Sequence, residues 1–474
     1  MERPAACLDL YPAVDITAVD NLLFRELQSN PHKLIVLDDD PTGVQTVHDV
    51  SVYTDWSVES LRQGFLNNDK LFFILTNSRG MTASESERVH REIIVNISAV
   101  AHDTGIPYLI ISRSDSTLRG HYPLETLLLK EGAEENGVAV DGEILCPFFK
   151  EGGRFTLDNI HYVKYGDSLV PAAETEFAKD PSFGYTKSSL PEYIEEKTKG
   201  AYKSNDVVCI SLETLRACDY DTVLQQLMSV SDFNKVCVNA ADYCDLKVFA
   251  IAFYRAIAQG KTFMLRTAAG LVKVLGGITD QPLLSAEEML SPENHGKGGV
   301  VIVGSHTQKT TDQLNELLKL PNTVPIAFNS DLVLDGDAAL DAEIERCVQL
   351  EERCIQEGKV AVCYTKRALL RLENDTEESA LLRSVKISNS VQSLIGRLTV
   401  TPAFIIAKGG ITSSDIGTKA LRVRRATVLG QIKPGIPVWQ TGCESRFPDI
   451  PYIIFPGNVG TTETLREAVE ILLT

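Results

Sequence analysis

The chain has 474 residues, and 64 acidic against 46 basic side chains give it a formal net charge of −18. This length is more than one hydrophobic core usually serves, so it argues against a single domain and favours two. The acidic balance argues against a nucleic acid as partner, because a phosphate backbone needs a basic protein face.

The sequence also lacks targeting signals. It contains no run of about 18 apolar residues and no basic start followed by an apolar stretch, so we expect neither a membrane span nor a secretory signal. Its ten cysteines form no Cys-x-x-Cys pair and no zinc-type spacing. Scattered cysteines are typical of a reducing compartment, and we expect a cytoplasmic protein.

Short apolar runs alternate with longer amphipathic stretches along the chain, which is the pattern of βαβ units with a largely parallel sheet. The predicted fold class is therefore α/β, with two domains that each hold a mostly parallel sheet flanked by helices. The predicted strands are residues 34–37, 71–75, 108–111, 143–146, 207–210, 236–238, 300–303, 360–363, 403–407 and 452–455. The predicted helices are residues 82–102, 219–228, 308–320 and 462–473.

The first strand leads directly into three carboxylates, Asp38, Asp39 and Asp40, and then into a turn at Gly43. Open α/β sheets bind their ligands at the carboxyl ends of the strands. Carboxylates at such a place suit a metal ion or a hydroxyl group that must lose a proton. An Asp-rich turn can also be only a helix cap, and for this run alone that alternative stays open.

The second strand ends in Asn77, Ser78, Arg79 and Gly80. The helix that follows has the start Thr82-Ala-Ser-Glu, which fits a capping box.

The third strand leads into residues 112–120, Ser-Arg-Ser-Asp-Ser-Thr-Leu-Arg-Gly. The candidate binding residues of this run are Arg113, Ser114, Asp115, Ser116 and Arg119. Arginines suit an oxyanion, although Arg113 and Asp115 could also form a structural ion pair. Three successive strand ends rich in polar groups predict a pocket for a polyhydroxy acid.

The alternating pattern lapses between Ile278 and Gly299, where proline, glycine and polar residues predict a domain link. We assign residues 1–284 to the first domain, 285–298 to the linker and 299–474 to the second domain. Within the first domain, residues 148–185 have weak periodicity and are predicted to be rich in loops.

Three strand ends of the second domain are rich in glycine and hydroxyl groups, and no Gly-x-x-x-x-Gly-Lys-Ser/Thr motif occurs. Glycine turns and helix N-termini present backbone N–H groups to a phosphate, so these ends predict a phosphate site. We expect Thr412 or Ser413 to cap the helix that follows the second of them. The candidate residues are Ser305, Gly409, Gly410, Thr412, Ser413, Gly457, Asn458 and Gly460.

The order of the motifs Asp-Asp-Pro-Thr-Gly at 39–43, Asn-Ser-Arg at 77–79 and Arg-Ser-Asp-Ser-Thr-Leu-Arg-Gly at 113–120 resembles the four-carbon acid sugar kinase family. The resemblance continues at residues 303–307, 408–413 and 456–460. It therefore covers the chain from Leu34 to its end.

This resemblance implies a kinase that uses ATP and Mg²⁺ to phosphorylate the terminal hydroxyl of threonate, erythronate or 3-oxo-tetronate. Residues 1–284 would bind the sugar acid and residues 299–474 the nucleotide, with the active site in the cleft between the two domains. The resemblance assigns no magnesium ligands.

Each candidate residue has an expected role in this reaction. Asp39 or Asp40 would orient and deprotonate the hydroxyl. Arg79 and Arg113, with Ser114 and Ser116, would bind the carboxylate and hydroxyls of the substrate, since guanidinium groups bind carboxylates bidentately. Asp115 and Arg119 belong to the same predicted site, and Arg154 matches a family segment that lies near the substrate.

The chain departs from the family pattern at two places. Ile411 stands where an acidic residue is common, and His306-Thr307 stands where a Cys-Ser pair is frequent. Ile411 favours the alternative of a nucleotide- or metabolite-binding protein that has lost kinase activity. A nicotinamide-dependent dehydrogenase shares the α/β pattern, but the first strand lacks a Gly-x-Gly-x-x-Gly motif after it.

The expected partners are a small-molecule sugar acid and ATP, with neither nucleic acid nor membrane. The sequence leaves the oligomeric state open, with a homodimer as one candidate because dimers are the commonest oligomers of soluble enzymes.

Overall fold

The computed structural model describes residues 1–294, 296–368, 370, 372, 375–457 and 459–473. The chain divides into two compact units, one of residues 1–46 and 55–279 and the other of residues 47–54 and 280–474. It therefore passes between the units three times. Residues 285–298, the predicted linker, include the short helix Ala286–Met289, and the domain bounds drawn from the sequence stay a prediction.

The described strands, in chain order, are β1 Arg3–Pro4, β2 Lys33–Asp38, β3 Val50–Tyr53, β4 Leu71–Leu75, β5 Tyr108–Arg113, β6 Gly142–Cys146, β7 Arg154–Leu157, β8 Ile160–Tyr165, β9 Ser168–Pro171, β10 Val208–Ile210, β11 Asn234–Val238, β12 Phe263–Thr267, β13 Val300–Val303, β14 Thr323–Phe328, β15 Val360–Thr365, β16 Ile405–Lys408, β17 Arg425–Lys433, β18 Ile436–Thr441 and β19 Pro451–Phe455.

The described α-helices are α1 Ile16–Ser29, α2 Val58–Leu66, α3 Ala83–Thr104, α4 Leu124–Glu135, α5 Leu190–Lys197, α6 Leu212–Arg216, α7 Tyr220–Met228, α8 Tyr243–Ala258, α9 Ala269–Gly276, α10 Ala286–Met289, α11 Gln308–Leu317, α12 Asp337–Gln356, α13 Glu377–Gly396, α14 Gly410–Asp415 and α15 Thr464–Leu472.

The first unit is built on a parallel sheet with the strand order β10-β11-β6-β12-β5-β2-β4. The side chains of β2, β4 and β12 are buried along their whole length, as expected for parallel strands covered on both faces. Two groups of helices pack alongside it: α2 and α4 contact α3, and α1, α6, α7 and α9 contact α8. The expected α/β class with a parallel sheet is confirmed for this unit.

A second, antiparallel sheet of the first unit corrects one prediction. The order is β1-β9-β8-β7, and three of these strands come from residues 148–185, which the sequence predicts as loop. The strands are short, and the turn between β7 and β8 carries two non-glycine residues with positive φ, Asp158 and Asn159, so the usual glycine turn signal is missing there.

The second unit has a mixed sheet with the order β3-β17-β18-β19-β16-β13-β15-β14. Strands β19, β16, β13, β15 and β14 are parallel, whereas β3, β17 and β18 pair antiparallel. Its core includes Val301, Phe404, Ile453 and Leu465, which are at most 1% exposed. Strand β3 belongs to this unit because Ser51 pairs with Thr427 of β17, far along the chain.

All ten cysteines carry free thiols. Among the helices that the structure describes, none combines the length and the hydropathy that a membrane span needs.

Candidate functional site

The three predicted polar clusters of the first unit lie at one edge of its sheet. Strands β5, β2 and β4 are parallel neighbours, and Asp38 of β2 pairs in register with Leu75 of β4 and with Arg113 of β5. Their carboxyl ends therefore bring Asp38–Asp40, Ser78–Arg79 and Arg113–Arg119 together, as the sequence predicts.

Asp38 is the most enclosed of the three aspartates. Arg113 Nη1 donates to its Oδ1 over 3.0 Å. A Cβ on Gly43 would overlap the Asp38 carboxylate, so only glycine allows the backbone to approach this closely. Burial raises the pKa of Asp38 to about 7, with Arg113 acting against the shift.

Asp39 has one carboxylate oxygen with no protein partner among the described residues. Its Oδ1 lies 3.5 Å from Arg113 Nη1, whereas Oδ2 is buried without a hydrogen bond. A Cβ on Gly120 would lie 3.5 Å from this Oδ2 and 2.9 Å from Nη2 of Arg266. Asp39 Oδ2 and Arg266 Nη2, an acceptor and a donor, therefore both lie beside the backbone of Gly120. Burial raises the pKa of Asp39, although Arg79 and Arg113 oppose the shift.

Asp40 and Asp115 are joined through Arg79. The Arg79 guanidinium forms an ion pair with Asp40, and its Nη1 lies 3.2 Å from Oδ1 of Asp115. Arg119 Nε donates to the other oxygen of Asp115 over 2.8 Å. Burial acts to raise the pKa of both carboxyls, but Arg79, with Thr42 at Asp40 and Arg119 at Asp115, holds both below their usual range. Asp115 thus pairs with Arg79 and Arg119, and Arg113 pairs with Asp38 and Asp39 instead of Asp115.

The predicted serines lie in the wall of the cluster. The hydroxyl of Ser114 accepts a hydrogen bond from Arg266 and is buried. The carbonyl of Ser116 accepts from Nε2 of His161 over 2.7 Å. Burial lowers the pKa of His161 to about 4, so this imidazole is neutral near pH 7 and its Nδ1 accepts from Thr156.

Arg266 and Glu125 are functional candidates that the sequence reasoning missed. Arg266 Nη1 donates to Glu125 Oε2 over 3.1 Å, and its Nη2 donates to the carbonyl of Arg119 over 3.2 Å. Arg266 lies on β12, the neighbour of β5. The run Phe263–Thr267 shows the same signal as the predicted strands, an apolar stretch that ends in polar residues, and could have identified it.

Arg154 stands near the same cluster without a carboxylate partner. The guanidinium carbons of Arg119 and Arg154 lie 5.1 and 5.4 Å from the ring centre of Phe177. In the described part of the chain Arg154 has no ion pair, and its Nε is buried without a hydrogen bond. Burial lowers the pKa of Arg154, as expected for a cation that lacks a neutralising partner.

A cavity of about 480 Å³ adjoins this cluster. It is lined by residues 80–83 and 120–124 and by Ser182, Phe183 and Lys197, with no acidic side chain among them. Its volume lies in the range of small-molecule sites, which is roughly 300–1,000 Å³.

The glycine-rich turns of the second unit also meet. Strands β19, β16 and β13 are parallel neighbours. A Cβ on Gly409 would lie 3.2 Å from Cβ of Ser305, and one on Gly457 would lie 3.4 Å from its Oγ. A Cβ on Gly304 would overlap the Thr412 hydroxyl. Ser305, Gly409, Thr412 and Gly457 therefore form one cluster.

The helix cap predicted here is wrong. Gly409, with a φ of 123°, occupies the N-cap position, and no side chain caps α14, which begins at Gly410. Thr412 and Ser413 lie inside α14, where Ser413 donates to the carbonyl of Ala407 over 2.8 Å. The glycine approaches Ser305 more closely than a larger residue could, so backbone packing takes precedence over side-chain capping.

The remaining predicted residues of this unit are placed as follows. Gly460 accepts a hydrogen bond from Lys309 Nζ over 3.2 Å, and Asn458 lies outside the described residues. Ile411 is 75% exposed.

Lys408, which the sequence reasoning left out of the site, is buried and donates to the carbonyl of Pro456 over 2.6 Å. Burial and then the charge of Lys309 lower the pKa of Lys408 to about 7.

Two family models match the chain. Residues 34–275 match the sugar-binding N-terminal domain, and residues 300–465 match the nucleotide-binding C-terminal domain. The chain belongs to the four-carbon acid sugar kinase family. The resemblance expected from the motifs is thereby confirmed.

Solved structures share the fold of this four-carbon acid sugar kinase family member. A protein from Salmonella typhimurium LT2 is 16% identical, with 92% of this chain and 98% of that chain covered and a TM-score of 0.66. Haemophilus influenzae protein HI1011, of DUF1537, is 17% identical, with 92% of this chain and 100% of that chain covered and a TM-score of 0.61. A comparison with curated proteins finds no match.

The described residues contain no group of His, Cys, Asp and Glu side chains that could hold a metal ion. Mg²⁺ commonly binds through substrate phosphates and one or two carboxylates instead of an all-protein site.

Proposed function

We propose that the chain is an ATP-dependent kinase that phosphorylates the terminal hydroxyl of a four-carbon acid sugar of the threonate, erythronate or 3-oxo-tetronate type. Asp39 supports this function most directly, because its buried Oδ2 has no hydrogen-bond partner among the described residues and lies near Gly120 and the guanidinium of Arg266. The sugar-binding and nucleotide-binding domains supply the two substrates of such a reaction.

In this proposal Asp39, and not Asp40, accepts the proton of the substrate hydroxyl. Both oxygens of Asp40 are engaged, one by Thr42 and the other by Arg79. Asp39 has a free oxygen and a raised pKa, which makes it the stronger base once it is ionised. The hydroxyl oxygen then bonds to the γ-phosphorus of ATP, the bond to the bridging oxygen breaks, and ADP leaves.

The substrate carboxylate has a candidate partner in Arg154. Arg79, Arg113 and Arg119 already form ion pairs with aspartates, whereas Arg154 forms none with the described residues and is influenced only at a distance by Asp115 and Glu176. We assign Arg154 to the carboxylate and the partly exposed Arg79 and Arg119 to other substrate oxygens. Arg113, Ser114 and Ser116 hold the wall of the site, and Asp115 orients Arg79 and Arg119.

The nucleotide phosphates would bind at the cluster of Ser305, Gly409, Thr412 and Gly457. The hydroxyls of Ser305 and Thr412 lie together beside these two glycines and can donate to phosphate oxygens. Magnesium would arrive bound to ATP and neutralise part of the phosphate charge. Phosphoryl transfer then requires mainly alignment and charge neutralisation from the protein.

A second candidate function is a nucleotide- or metabolite-binding protein without kinase activity. Ile411, an exposed residue on α14 where the family commonly has an acid, favours it. Incubation with ATP and a panel of four-carbon sugar acids separates the two. ADP formed only with a sugar acid supports the kinase, and ligand binding without ADP supports the second function.

Variants of the aspartates give the sharper test. We expect Asp39→Asn and Asp40→Asn each to lower kcat by about 10²–10⁴, because the first removes the proton acceptor and the second releases Arg79. ATP affinity, measured by calorimetry, should stay at the wild-type value. Asp103→Asn is the matched control, since this exposed carboxylate pairs only with Arg62. Wild-type turnover in Asp39→Asn would contradict its assigned role.

A further inference from the structure

Arg367 lies just beyond β15 in the second unit, and its guanidinium reaches the turn after β13. Its Nη2 donates to the carbonyl of Ser305, and its Nε donates to the hydroxyl of Thr311 over 3.2 Å. The third nitrogen, Nη1, is buried and has no hydrogen-bond partner among the described residues. No acidic side chain in the described part of the chain forms an ion pair with Arg367.

This arrangement is unfavourable unless an anion binds there. A guanidinium loses hydration on burial, and a carboxylate or phosphate normally restores the lost interactions. Burial lowers the pKa of Arg367, with no carboxylate to oppose it. Nearby, burial and Arg367 lower the pKa of His306, so this imidazole adds no second positive charge near pH 7.

The neighbours of Arg367 indicate which anion it would bind. Ser305, whose carbonyl it contacts, also faces Gly409 and Gly457. Thr311 lies in the first turn of α11, whose N-cap is Thr307. Arg367 thus stands at the amino end of a helix and beside the glycine cluster, where a phosphate chain would be favoured.

We propose that Arg367 binds the phosphate chain of the nucleotide, with the unpartnered Nη1 donating to a phosphate oxygen. The assignment rests on the proposed function for the nature of the ligand, a nucleoside di- or triphosphate. Neither the strand-end motifs nor the glycine turns include Arg367. Its contacts with Ser305 and Thr311 fix the guanidinium before the nucleotide arrives, which lowers the cost of ordering it.

The test compares phosphate-bearing with phosphate-free ligands. Dissociation constants for ATP, ADP and adenosine are measured by calorimetry on the wild-type chain, Arg367→Gln and Arg367→Lys. The matched control is Arg397→Gln, which removes an exposed ion pair with Asp341 in the same unit. We expect Arg367→Gln to weaken ATP and ADP binding by about 10–100-fold, from the loss of a charge-assisted hydrogen bond, and to leave adenosine binding unchanged. The ATP affinity of Arg367→Lys should lie between those of the wild type and Arg367→Gln, and the ATP affinity of Arg397→Gln should match that of the wild type.

Other outcomes would overturn the assignment. If ATP and adenosine binding fall together in both variants, Arg367 only supports the turn. If ATP binding is unchanged in either variant, the guanidinium does not contact phosphate. Should Arg367→Gln fail to fold, the proposal is tested by whether Arg367→Lys loses ATP affinity relative to Arg397→Gln. A wild-type chain that binds ATP but phosphorylates no sugar acid would remove the kinase function alone, whereas one that binds no nucleotide would overturn this proposal as well.

Discussion

Arg154 and Arg367 differ from the arginines around them in having no carboxylate partner among the described residues. Arg113 and Arg266, which are equally part of a polar cluster, each face an acidic side chain. Since a buried guanidinium nitrogen without a hydrogen bond is costly, these partly buried arginines mark where an anionic ligand would be stabilised. One lies in each unit, which is consistent with the proposed reaction between a sugar acid and a nucleotide.

The pH dependence of turnover should reveal the raised pKa of Asp39. The carboxylate must be ionised to accept a proton, so kcat/KM should fall as the pH drops through that pKa. We expect this acidic limb to lie above the ordinary Asp value of about 3.9, because burial disfavours the charged form. The measurement is kcat/KM as a function of pH with a saturating concentration of ATP.

Asp38→Asn provides the comparison for this pH profile. The substitution leaves Asp39 as the remaining carboxylate partner of Arg113, and above about pH 7, where Asp38 is ionised, it also removes a neighbouring negative charge. Both effects favour ionised Asp39, so the acidic limb should move to lower pH. A limb at the ordinary Asp value in the wild type, or one that does not move in Asp38→Asn, would contradict the role of Asp39.

At the level of single residues, the strand-end motifs predicted the cluster but not its partners. Asp38, Arg79 and Arg113 were identifiable because each lies within four residues of the end of an apolar run. Glu125 was not, since it lies in the first turn of α4 and reaches Arg266 only through the tertiary fold. Which aspartate has a free oxygen also depends on contacts across strands that local sequence does not encode.

Among the elements, helix α3 illustrates a local signal that the structure confirms. The capping box predicted from Thr82 and Glu85 is present, with both the Thr82 side chain and the Glu85 side chain bonded to backbone N–H groups. The first turn of α3 also lines the cavity beside the aspartates, through Thr82 and Ala83. The cap therefore fixes one wall of that cavity.

Removal of the cap should loosen this wall. We expect Thr82→Ala to cost about 1 kcal/mol at the helix start, which corresponds to roughly fivefold faster hydrogen exchange of the first-turn amides of α3. Thr82→Ser keeps the hydroxyl and should exchange like the wild type. Equal exchange in Thr82→Ala and Thr82→Ser would show that the cap does not stabilise the turn.

The elements that the sequence did not predict share a physical reason. Strand β17 alternates buried and partly exposed residues and carries Arg425, Thr427, Gln431 and Lys433, so it lacks the apolar run of a parallel strand. Strand β3 is short, and it belongs to the second unit only because β17 pairs with it. Such long-range pairing cannot be inferred from a local pattern.

On the scale of the whole molecule, the division into units bears on the mechanism. The groups proposed to bind the sugar acid belong to the first unit and those proposed to bind phosphate to the second. Three chain passages join the units, after Thr46, Thr54 and Thr279. The sequence predicts a single flexible link near residues 279–299, but the chain passes between the units at two further places. Any hinge motion must involve all three.

We predict that the two domains close when both substrates are bound. Phosphoryl transfer needs the reacting atoms within roughly 3–3.5 Å and the exclusion of water, while the proposed ligand groups lie on different units. The radius of gyration from small-angle scattering should fall with a sugar acid plus a non-hydrolysable ATP analogue, and fall less with either ligand alone. Calorimetry on the same samples establishes that both ligands are bound. An unchanged radius in that doubly bound state would instead indicate a cleft already formed in the free protein, with the reactants aligned by binding alone.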